Sequence, residues 1–553
     1  MKKLVSVILS ILVICSSFAG LTAFADETSD RVNSKNALSV GGELPTDESQ
    51  LSGTIGECTW SFEKGSNIMF ISGNGSMEQY DSRFDIPWYS WNDNIEKVVI
   101  EEGVTVICDR AFYECKNLKE VSIADSVISI GFGAFRNCES LKQVSISKNV
   151  ISIWATAFAG CKKLEKIEVD ENNVCYSSIN GDLYDYSYHQ TKLAQYALGK
   201  PDKEFTVPDG VEEIDMYAFA GSDNLVTVKI PKSVKDIDFE AFEECTNLTE
   251  ITIPGTVEKI HGYTFSNSKK LTKVVYGNGI KEIEPGAFYD CEGLTEFTIP
   301  NTVTKIDNKA FYGCKNLKKI TIPKGVTEIG EHALGYFFAY YDDASHDDKV
   351  EDFVIYGYLG TAGEKYALDN GFKFVSIGDA RKTPKITGIK SQYLASAGKS
   401  FNLNAKANTK LSYTSSNKKV AVVYSSGRVA VKGVGSAVIT IKASENRLYK
   451  SAVAKVKVFC APKDFSSKEV SKVKKTGTKA KLSWKKLAGA TGYTVQYATN
   501  KTFKKAKNVK VSKTTATITG LKKGKTYYAR INAYAKISGK KYSNKWYTVK
   551  FKM

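Results

Sequence analysis

The cysteines are the residues of this sequence that could most obviously carry out chemistry. The chain of 553 residues contains 11 cysteines and 4 histidines. Six cysteines recur at one position of a repeated segment, and serine stands there in two further copies: Cys115, Cys138, Cys161, Cys245, Cys291, Cys314, Ser222 and Ser268. Free cysteine behaves as a small apolar residue, so a position that accepts cysteine or serine predicts a small buried side chain. Disulfide pairing between adjacent copies is the alternative, because an exported chain that keeps ten cysteines could form such bonds.

Metal binding and catalysis find little support in these residues. No Cys-x-x-Cys pair occurs, so we expect no metal and no cofactor. Cys175 and His189 come nearest to a catalytic pair, but they are 14 positions apart and match no known frame, so we expect no enzyme. The acidic run from Asp342 to Lys349 lacks the glycine turn of a calcium loop and predicts a solvated loop.

A repeated segment must position most of these residues. Eight phenylalanines, seven of them preceded by alanine, recur at a spacing of 23 residues with one interruption: Phe112, Phe135, Phe158, Phe219, Phe242, Phe265, Phe288 and Phe311. This period lies within the range of leucine-rich repeats. A single copy would leave its apolar side in water, so the copies must stack and bury one continuous core.

The segment from Ser233 to Thr256 shows the pattern within one copy. Its alternation points Ile251 and Ile253 inward and leaves Glu250 and Thr252 outward. We therefore predict a leucine-rich-repeat solenoid over residues 102–378, with a parallel sheet along one face and phenylalanine stacked on phenylalanine. Together with the two modules described below, the fold class is multidomain: a solenoid followed by two all-β sandwiches.

The solenoid needs lids at both ends and contains one insertion. Residues 53–101, rich in tryptophan, predict the N-terminal cap, and residues 336–378 predict the C-terminal cap with a short helix over Ala362 to Asp369. The period breaks at about 172–208, where polar and aromatic residues alternate. We predict a hairpin there that rejoins the stack at Val207, and such insertions often carry function.

Candidate ligand contacts lie at outward strand positions and on aromatic loops. The charged candidates are Glu120, Lys166, Lys229, Glu250, Lys273, Glu296 and Lys319. The aromatic candidates are Tyr184, Tyr186 and Tyr188 in the insertion and Tyr340 and Tyr341 in the C-terminal cap. Aromatic side chains often supply binding hot spots, although packing of these loops against the solenoid is the alternative.

The beginning of the chain and its charge distribution bear on location. A basic start, an apolar run from Leu4 to Ile14 and a small-x-small site predict a signal peptide over residues 1–25, cleaved between Ala25 and Asp26. Residues 26–52 then form a flexible linker, and no transmembrane span is expected. We therefore expect a secreted protein, either extracellular or held non-covalently at the cell surface.

From Lys382 onward the chain holds 40 of its 77 Lys and Arg residues but only 3 of its 60 Asp and Glu residues. Anionic cell-wall polymers are the expected partner of this basic part, and nucleic acid is not expected outside a cell. Lysines that keep exposed strand edges from pairing are an equally open interpretation.

Two sandwich modules are indicated after the solenoid. Residues 382–460 alternate in short strands with breaks at Gly427, Gly433 and Gly435, and they resemble the bacterial group 2 immunoglobulin-like domain. Residues 461–553 are similar to fibronectin type III domains, in which Trp484 would be the core tryptophan and Tyr527 the corner tyrosine.

The repeat frame itself carries the most specific resemblance. Residues 53–378 resemble the BspA-type, or treponemal, leucine-rich repeats of bacterial surface proteins. This resemblance implies an adhesin-like protein that binds a host or bacterial surface protein or glycan, with the sandwiches as spacer and envelope-retention element. The alternatives are a structural envelope protein without a specific ligand, an enzyme hidden in the insertion, or sandwiches that themselves bind.

Overall fold

The computed structural model describes residues 51–63, 65–187, 191–341 and 344–553. They form two compact units, one reaching Tyr358 and including Ala362–Ile377, the other comprising Leu359–Thr361 and Gly378–Met553. The predicted signal peptide and its cleavage site at Ala25 and Asp26 lie outside the described residues, and the domain boundaries remain predictions. Within the described part, no helix has the length and apolar character needed to cross a membrane.

The first unit begins with a cap that closes the solenoid. The cap contains an antiparallel sheet of β1 (Ser52–Ile55), β2 (Cys58–Glu63) and β3 (Ile68–Gly73). It also contains β4 (Gly75–Ser76) and two 3₁₀ helices, Arg83–Asp85 and Tyr89–Asn94. Trp88 is fully buried, its ring stacks on Phe112 at 5.6 Å, and its indole N–H donates to the Ala111 carbonyl at 2.7 Å. The tryptophan therefore continues the solenoid core into the cap.

The solenoid proper makes about 12 turns over residues 97–379, and most turns contain one longer strand and one strand of two residues. The strands are β5 (Lys97–Ile100), β6 (Val104–Ile107), β7 (Glu120–Ile123), β8 (Ser129–Ile130), β9 (Gln143–Ile146), β10 (Ser152–Ile153), β11 (Lys166–Val169), β12 (Tyr176–Ile179), β13 (Asp182–Asp185), β14 (Lys192–Gln195), β15 (Glu204–Thr206), β16 (Glu213–Ile214), β17 (Thr227–Lys229), β18 (Asp236–Ile237), β19 (Glu250–Ile253), β20 (Lys259–Ile260), β21 (Lys273–Tyr276), β22 (Glu282–Ile283), β23 (Glu296–Thr298), β24 (Lys305–Ile306), β25 (Lys319–Thr321) and β26 (Glu328–Ile329). Equivalent strands pair in parallel, so that residues 23 positions apart lie side by side, as Glu250 does with Lys273.

The predicted phenylalanine column is confirmed. Phe242 is fully buried and stacks between Phe219 at 4.7 Å and Phe265 at 5.6 Å, with interplanar angles of 7° and 19°. The Phe242 N–H donates to the Thr264 carbonyl of the next turn at 2.9 Å. Each turn thus presents one ring and one hydrogen bond to its neighbour, and Ile251 and Ile253 point inward as expected.

The predicted insertion forms three antiparallel strands, β12, β13 and β14, and β14 then pairs in parallel with β16. Tyr196 takes the place of a phenylalanine in the column, because its ring stacks on Phe219 at 5.2 Å and its N–H donates to the Ala218 carbonyl at 2.9 Å. The chain therefore rejoins the stack at Tyr196, earlier than the predicted Val207.

The first unit ends with β27 (Tyr336–Tyr341), β28 (Ala344–Lys349), β29 (Val354–Leu359), α1 (Ala362–Asp369) and β30 (Lys373–Asp379). The helix lies where the sequence predicted it. The prediction of an acidic loop is wrong for residues 344–349, because they form β28, which pairs with β27 in a hairpin, and residues 342 and 343 lie outside the described residues. There Asp347 accepts a hydrogen bond from the Tyr312 hydroxyl and lies 2.7 Å from His332 Nδ1.

The second unit contains the two predicted sandwiches. The strands are β31 (Gln392–Ser396), β32 (Ser400–Asn402), β33 (Leu411–Ser415), β34 (Ala421–Val423), β35 (Arg428–Val431), β36 (Gly435–Ala443), β37 (Ala452–Ala461), β38 (Lys474–Thr476), β39 (Lys479–Ser483), β40 (Gly492–Ala498), β41 (Lys507–Val511), β42 (Thr515–Ile518), β43 (Thr526–Ile537), β44 (Lys540–Ser543) and β45 (Tyr547–Lys552). Sheet order is β31-β37-β36-β33 with β32-β35-β34 in the first sandwich. In the second it is β38-β39-β42 with β41-β40-β43-β44, where β45 pairs with β43.

Two contacts bear on how these sandwiches are built. The Tyr527 hydroxyl accepts a hydrogen bond from the Lys522 N–H at 3.0 Å, as expected of a corner tyrosine. Phe459 of the first sandwich stacks on Tyr542 of the second at 4.5 Å with an interplanar angle of 8°. The two sandwiches therefore pack against each other.

We predict that Phe242→Ala destabilises the solenoid by about 3–5 kcal/mol, because it leaves a cavity between two stacked rings. The measurement is the free energy of unfolding in urea, followed by circular dichroism. Leu368→Ala is the control, since this side chain is 58% exposed on α1 and should change stability by no more than about 0.5 kcal/mol. Equal effects of the two substitutions would contradict a continuous stacked core.

Candidate functional site

The outward charges of the longer strands form ion pairs with one another. The pairs are Lys97 with Glu120 (2.7 Å), Lys229 with Glu204 (3.8 Å), Lys273 with Glu250 (2.7 Å), Lys319 with Glu296 (3.1 Å), and Lys166 with Glu168 on its own strand. All seven predicted charged contacts thus have a partner. Most pairs join neighbouring turns, because parallel pairing brings residues 23 positions apart side by side.

These pairs lower the charge that the sheet offers to a ligand. They are solvent-exposed, and such pairs contribute only about 0–1 kcal/mol each to stability. A ligand that used these side chains would compete with their present partners. Their role in ligand contact remains a prediction, and the sequence could have revealed the pairing through the alternating sign of charge at a spacing of 23.

The aromatic candidates of the insertion separate into buried and exposed residues. Tyr184 is only 1% exposed and packs in the core, so the expectation that it contacts a ligand is wrong. The physical reason is that β13 is covered on both faces, because Leu183 packs in the core of the preceding turns and Tyr184 in the core of the following turns. Tyr186 is 39% exposed and stays a candidate, whereas Tyr188 lies outside the described residues.

The two aromatic candidates of the C-terminal cap lie on β27. Tyr340 pairs with Ser345 and Tyr341 with Ala344 across the hairpin. Their role in ligand contact stays a prediction.

The repeated cysteines are buried hydrogen-bond donors. All ten described cysteines are free thiols. The Cys245 thiol donates to the Phe219 carbonyl at 3.3 Å, and the Ser268 hydroxyl donates to the Phe242 carbonyl at 2.9 Å. Cys245 and Ser268 thus supply the same donor to the carbonyl of the preceding turn, whereas the buried Ser222 hydroxyl at this position has no hydrogen-bond partner among the described residues. Burial raises the pKa of the Cys245 thiol, which keeps it protonated for this role.

Ionisable groups also line up beside the two-residue strands. His261 Nε2 lies 3.0 Å from Asp236 and Nδ1 lies 3.1 Å from Glu284, so the imidazole bridges the turns on either side. Burial opposes the charged imidazole, but the two carboxylates outweigh it and raise the pKa of His261. The imidazole therefore links three successive turns through two ion pairs.

An acidic group lies on the same side of the solenoid. Carboxylate oxygens of Glu213, Asp215 and Asp238 lie within 4.8 Å of one another, a spacing that a metal ion could span. Burial raises the pKa of Asp215 to about 6, and Lys192 lies 2.5 Å from Glu213. These two features already relieve the repulsion between the acids, so the cluster is accounted for without an ion.

The described residues do not support Cys175 and His189 as a catalytic pair. Cys175 is half-buried, and burial followed by the charge of Asp185 raises the pKa of its thiol. A raised pKa lowers the fraction of reactive thiolate. His189 lies outside the described residues.

A surface that the sequence analysis missed is formed by the Ala-Phe segments. In each of eight turns, the residue before the pair and the second residue after it have positive φ angles, as Tyr263 and Asn267 do around Phe265. We call this row the ridge, and it comprises residues 110–114, 133–137, 156–160, 217–221, 240–244, 263–267, 286–290 and 309–313. Its backbone ladder joins successive ridge segments on either side of the insertion, for example from the Asn267 N–H to the Tyr289 carbonyl at 2.8 Å.

The insertion interrupts the ridge and leaves a cavity. The inserted turn supplies Tyr196 to the core but no ridge segment, so residues 156–160 face residues 217–221 across the gap. A cavity of about 210 Å³ lies there, and its walls include Arg136, Lys162, Tyr217 and Glu243. The Arg136 guanidinium lies 4.3 Å from the centre of the Tyr217 ring.

A second cavity of about 430 Å³ adjoins the first. Its walls are Glu243, Glu244, Tyr263, Asn267, Tyr289, Asp290 and Lys309. Glu243 and Glu244 line both cavities, so the two form one groove along the ridge. The rings of Tyr263 and Tyr289 are half-buried and lie 6.1 Å apart, tilted by 50°. The sequence signal for this groove was the tyrosine at ridge positions of successive turns.

The second unit presents a strongly basic surface. Its four acidic side chains are already engaged: Asp379 with Arg381 at 3.1 Å, Glu445 with Arg381 at 3.6 Å, Asp464 with Ser396 at 2.7 Å, and Glu469 with Lys463 at 3.7 Å. Most of its lysines therefore have no carboxylate of the same unit to neutralise them.

Family comparisons agree with this architecture. The chain matches the BspA type Leucine rich repeat region over residues 87–195, 199–293 and 281–339, in six copies. Residues 397–445 match the Intimin, immunoglobulin-like domain, and residues 465–549 match the Fibronectin type III domain. All three are binding or structural domains without enzymatic activity, and the repeat family suggests a role in protein interaction at the cell surface.

Solved structures of bacterial repeat proteins are similar to this chain. A leucine-rich repeat protein from Eubacterium ventriosum is 25% identical, with 53% of this chain and 100% of that chain covered and a TM-score of 0.39. A leucine rich cell surface protein from Faecalibacterium prausnitzii is 23% identical, with 50% and 95% covered and a TM-score of 0.32. No curated protein matches the chain.

We predict that Cys245→Ser costs less than about 1 kcal/mol, because serine keeps the donor to the Phe219 carbonyl. Cys245→Val should cost about 0.5–1.5 kcal/mol more, since it removes one of the two hydrogen bonds to that carbonyl and leaves only the one from the Ser222 N–H at 3.0 Å. Urea unfolding measures both values. Ser268→Cys, the reverse exchange at the equivalent position, should be tolerated as well as Cys245→Ser, and a large loss in both would contradict the interchangeable donor.

We predict that His261→Gln lowers the free energy of unfolding by about 1–3 kcal/mol near pH 6, where the imidazole is charged. The pKa of His261 is raised, so its stabilisation is complete below the ordinary histidine pKa of about 6.5 and is lost as pH rises through the raised value. The difference from the unmodified protein should therefore narrow toward about pH 9. Lys259→Gln is the control, and its effect should stay constant over this range because lysine remains charged. A constant difference for His261→Gln would show that its charge does not stabilise the fold.

Proposed function

Because residues 87–339 of this chain form a BspA-type leucine-rich-repeat region, we propose that the protein is exported and binds a surface protein or glycan. The solenoid is the receptor, and the two sandwiches hold it at the cell envelope as an adhesin-like protein. The groove on the ridge supports this proposal most directly. It is a concave surface that combines tyrosine rings with polar side chains able to orient a ligand.

The position of the groove agrees with this role. An inserted segment interrupts an otherwise regular stack and leaves a gap in the ridge ladder between the Phe158 turn and the Tyr196 turn. The smaller cavity lies at this gap, and the larger cavity lies beside it along the regular turns. A departure of this kind at the only interruption of the 23-residue period is where recognition is expected.

The basic second unit supports retention at an anionic envelope. Summed charge attracts polyanions such as phosphate-bearing wall polymers without specific contacts. This attraction acts through water and is screened by salt over about 10 Å at 0.1 M. The sandwiches would then hold the protein to the wall reversibly and leave the acidic first unit to meet its partner.

A structural envelope protein without a specific ligand is the second candidate. It is favoured by the ion pairs on the sheet face, which satisfy the charges predicted to contact a ligand. In that case the sandwiches would still bind the wall, but the solenoid would bind nothing.

We predict that added NaCl releases the full chain from isolated cell walls, whereas an uncharged osmolyte at the same osmolarity does not. Removing four lysines of the second sandwich should weaken retention by about tenfold at low salt. The test variant replaces with Gln the residues Lys504, Lys505, Lys507 and Lys510. The matched control replaces with Gln four exposed solenoid lysines, Lys116, Lys142, Lys148 and Lys163. Cosedimentation measures both, and equal retention of the two variants would contradict retention by the basic unit.

A further inference from the structure

We propose that the ridge groove binds an uncharged oligosaccharide, with Tyr263 and Tyr289 contacting the sugar rings. This proposal rests on the proposed function and names the ligand class of its groove. The larger cavity supplies two half-buried phenol rings, and an aromatic face packs well against the C–H face of a pyranose ring. The remaining walls are polar, which suits a ligand covered with hydroxyl groups.

The polar walls contain both acceptors and donors. Glu243, Glu244 and Asp290 offer carboxylate oxygens, Asn267 offers an amide, and Lys309 offers an ammonium group. A sugar hydroxyl donates one hydrogen bond and accepts others, so it can satisfy both kinds of wall group. Glu243 is only 8% exposed, so part of this wall is held in place by packing.

The charge and polarity of the groove argue against other ligand classes. Three carboxylates against one lysine in the larger cavity disfavour an anion. A protein hot spot needs an apolar pocket for an aromatic or aliphatic anchor, but in the described walls the only aliphatic side chains are Ala159 and Ala220. Over the whole groove, Arg136, Lys162 and Lys309 balance the three carboxylates, so the walls carry no net charge that would attract a cationic partner.

The spacing of the turns also fits a sugar chain. Paired turns lie roughly 4.8 Å apart, close to the advance per ring in an extended pyranose chain. The larger cavity runs from the Phe242 turn to the Phe311 turn, a distance of roughly 14 Å or about three rings. Chain contacts can therefore repeat from one ridge segment to the next.

Glycines leave room for two polar side chains of the groove walls. A side chain at Gly313 would place its Cβ atom 1.7 Å from Asp290 Oδ1, so only glycine leaves that carboxylate in position. Gly160 stands in the same relation to Asn137, whose Oδ1 atom would lie 2.1 Å from the added carbon. Both ends of the groove therefore hold a polar side chain against a glycine of the next turn.

The test uses the full chain and two probe series, oligomers of N-acetylglucosamine and of glucose with two to four β-linked rings. Binding is measured by calorimetry and by saturation-transfer NMR. We expect at least one series to bind, with affinity rising up to three rings. Tyr289→Ala and Tyr263→Ala should each weaken binding at least tenfold, and Tyr289→Phe, which keeps the ring, should stay within about threefold.

Tyr113→Ala is the matched control, because Tyr113 holds the equivalent ridge position in a turn remote from the groove. It should bind as the unmodified protein does. If the alanine variants of the two tyrosines do not fold, two milder variants still test the groove. Asn267→Ala removes the amide contact, and Tyr289→Phe removes the hydroxyl contact but keeps the ring. Unchanged affinity in every groove variant, or no binding to either series, overturns the proposal.

Failure of this proposal can be told apart from failure of the proposed function. Binding of the chain to whole cells or matrix proteins is measured in parallel with the same variants. Surface binding that is insensitive to Tyr289→Ala overturns the sugar site and leaves the receptor role intact. Surface binding that Tyr289→Ala abolishes without any sugar binding assigns the groove to a protein partner instead. If the unmodified chain binds sugar but binds neither cells nor matrix proteins, only the receptor role is overturned.

Discussion

The first unit depends on one contact repeated along its length, the stacking of a buried aromatic ring on the ring of the next turn. From Trp88 through Phe112 to Phe158, and from Tyr196 to Phe311, the rings lie 4.7–5.7 Å apart. The backbone ladder and the thiol or hydroxyl donors add directional bonds between the same neighbours. The free energy of unfolding of the solenoid is therefore approximately the sum of contributions from each turn and from the contacts between adjacent turns.

That constraint decides where the molecule can carry function. The interior of each turn is taken up by its neighbours, and on the sheet face the parallel register brings opposite charges together, as with Lys273 and Glu250. The ridge is different, because residues that flank the Ala-Phe pairs, such as Tyr263 and Asn267, are only half-buried. The inserted turn supplies a core ring but no ridge segment, and the smaller cavity lies at the gap that it leaves.

The sequence was sufficient for features that repeat and insufficient for those that arise between turns. The phenylalanine column and the helix over Ala362–Asp369 follow from periodicity and local propensity. The burial of Tyr184 could not be foreseen, since β13 is covered on both faces and alternation along a strand shows only which residues share a face. The groove was also missed, because its walls come from separate turns and only the positive φ angles of the ridge bring them to one surface.

The one-dimensional architecture has a consequence for a protein pulled from both ends. Since each turn is bonded mainly to the turns beside it, a tensile load would detach turns singly from an end instead of rupturing the whole body at once. Each detached turn of 23 residues would lengthen the chain by roughly 80 Å. A tether built in this way becomes longer step by step under load, and it becomes shorter again when a detached turn re-stacks.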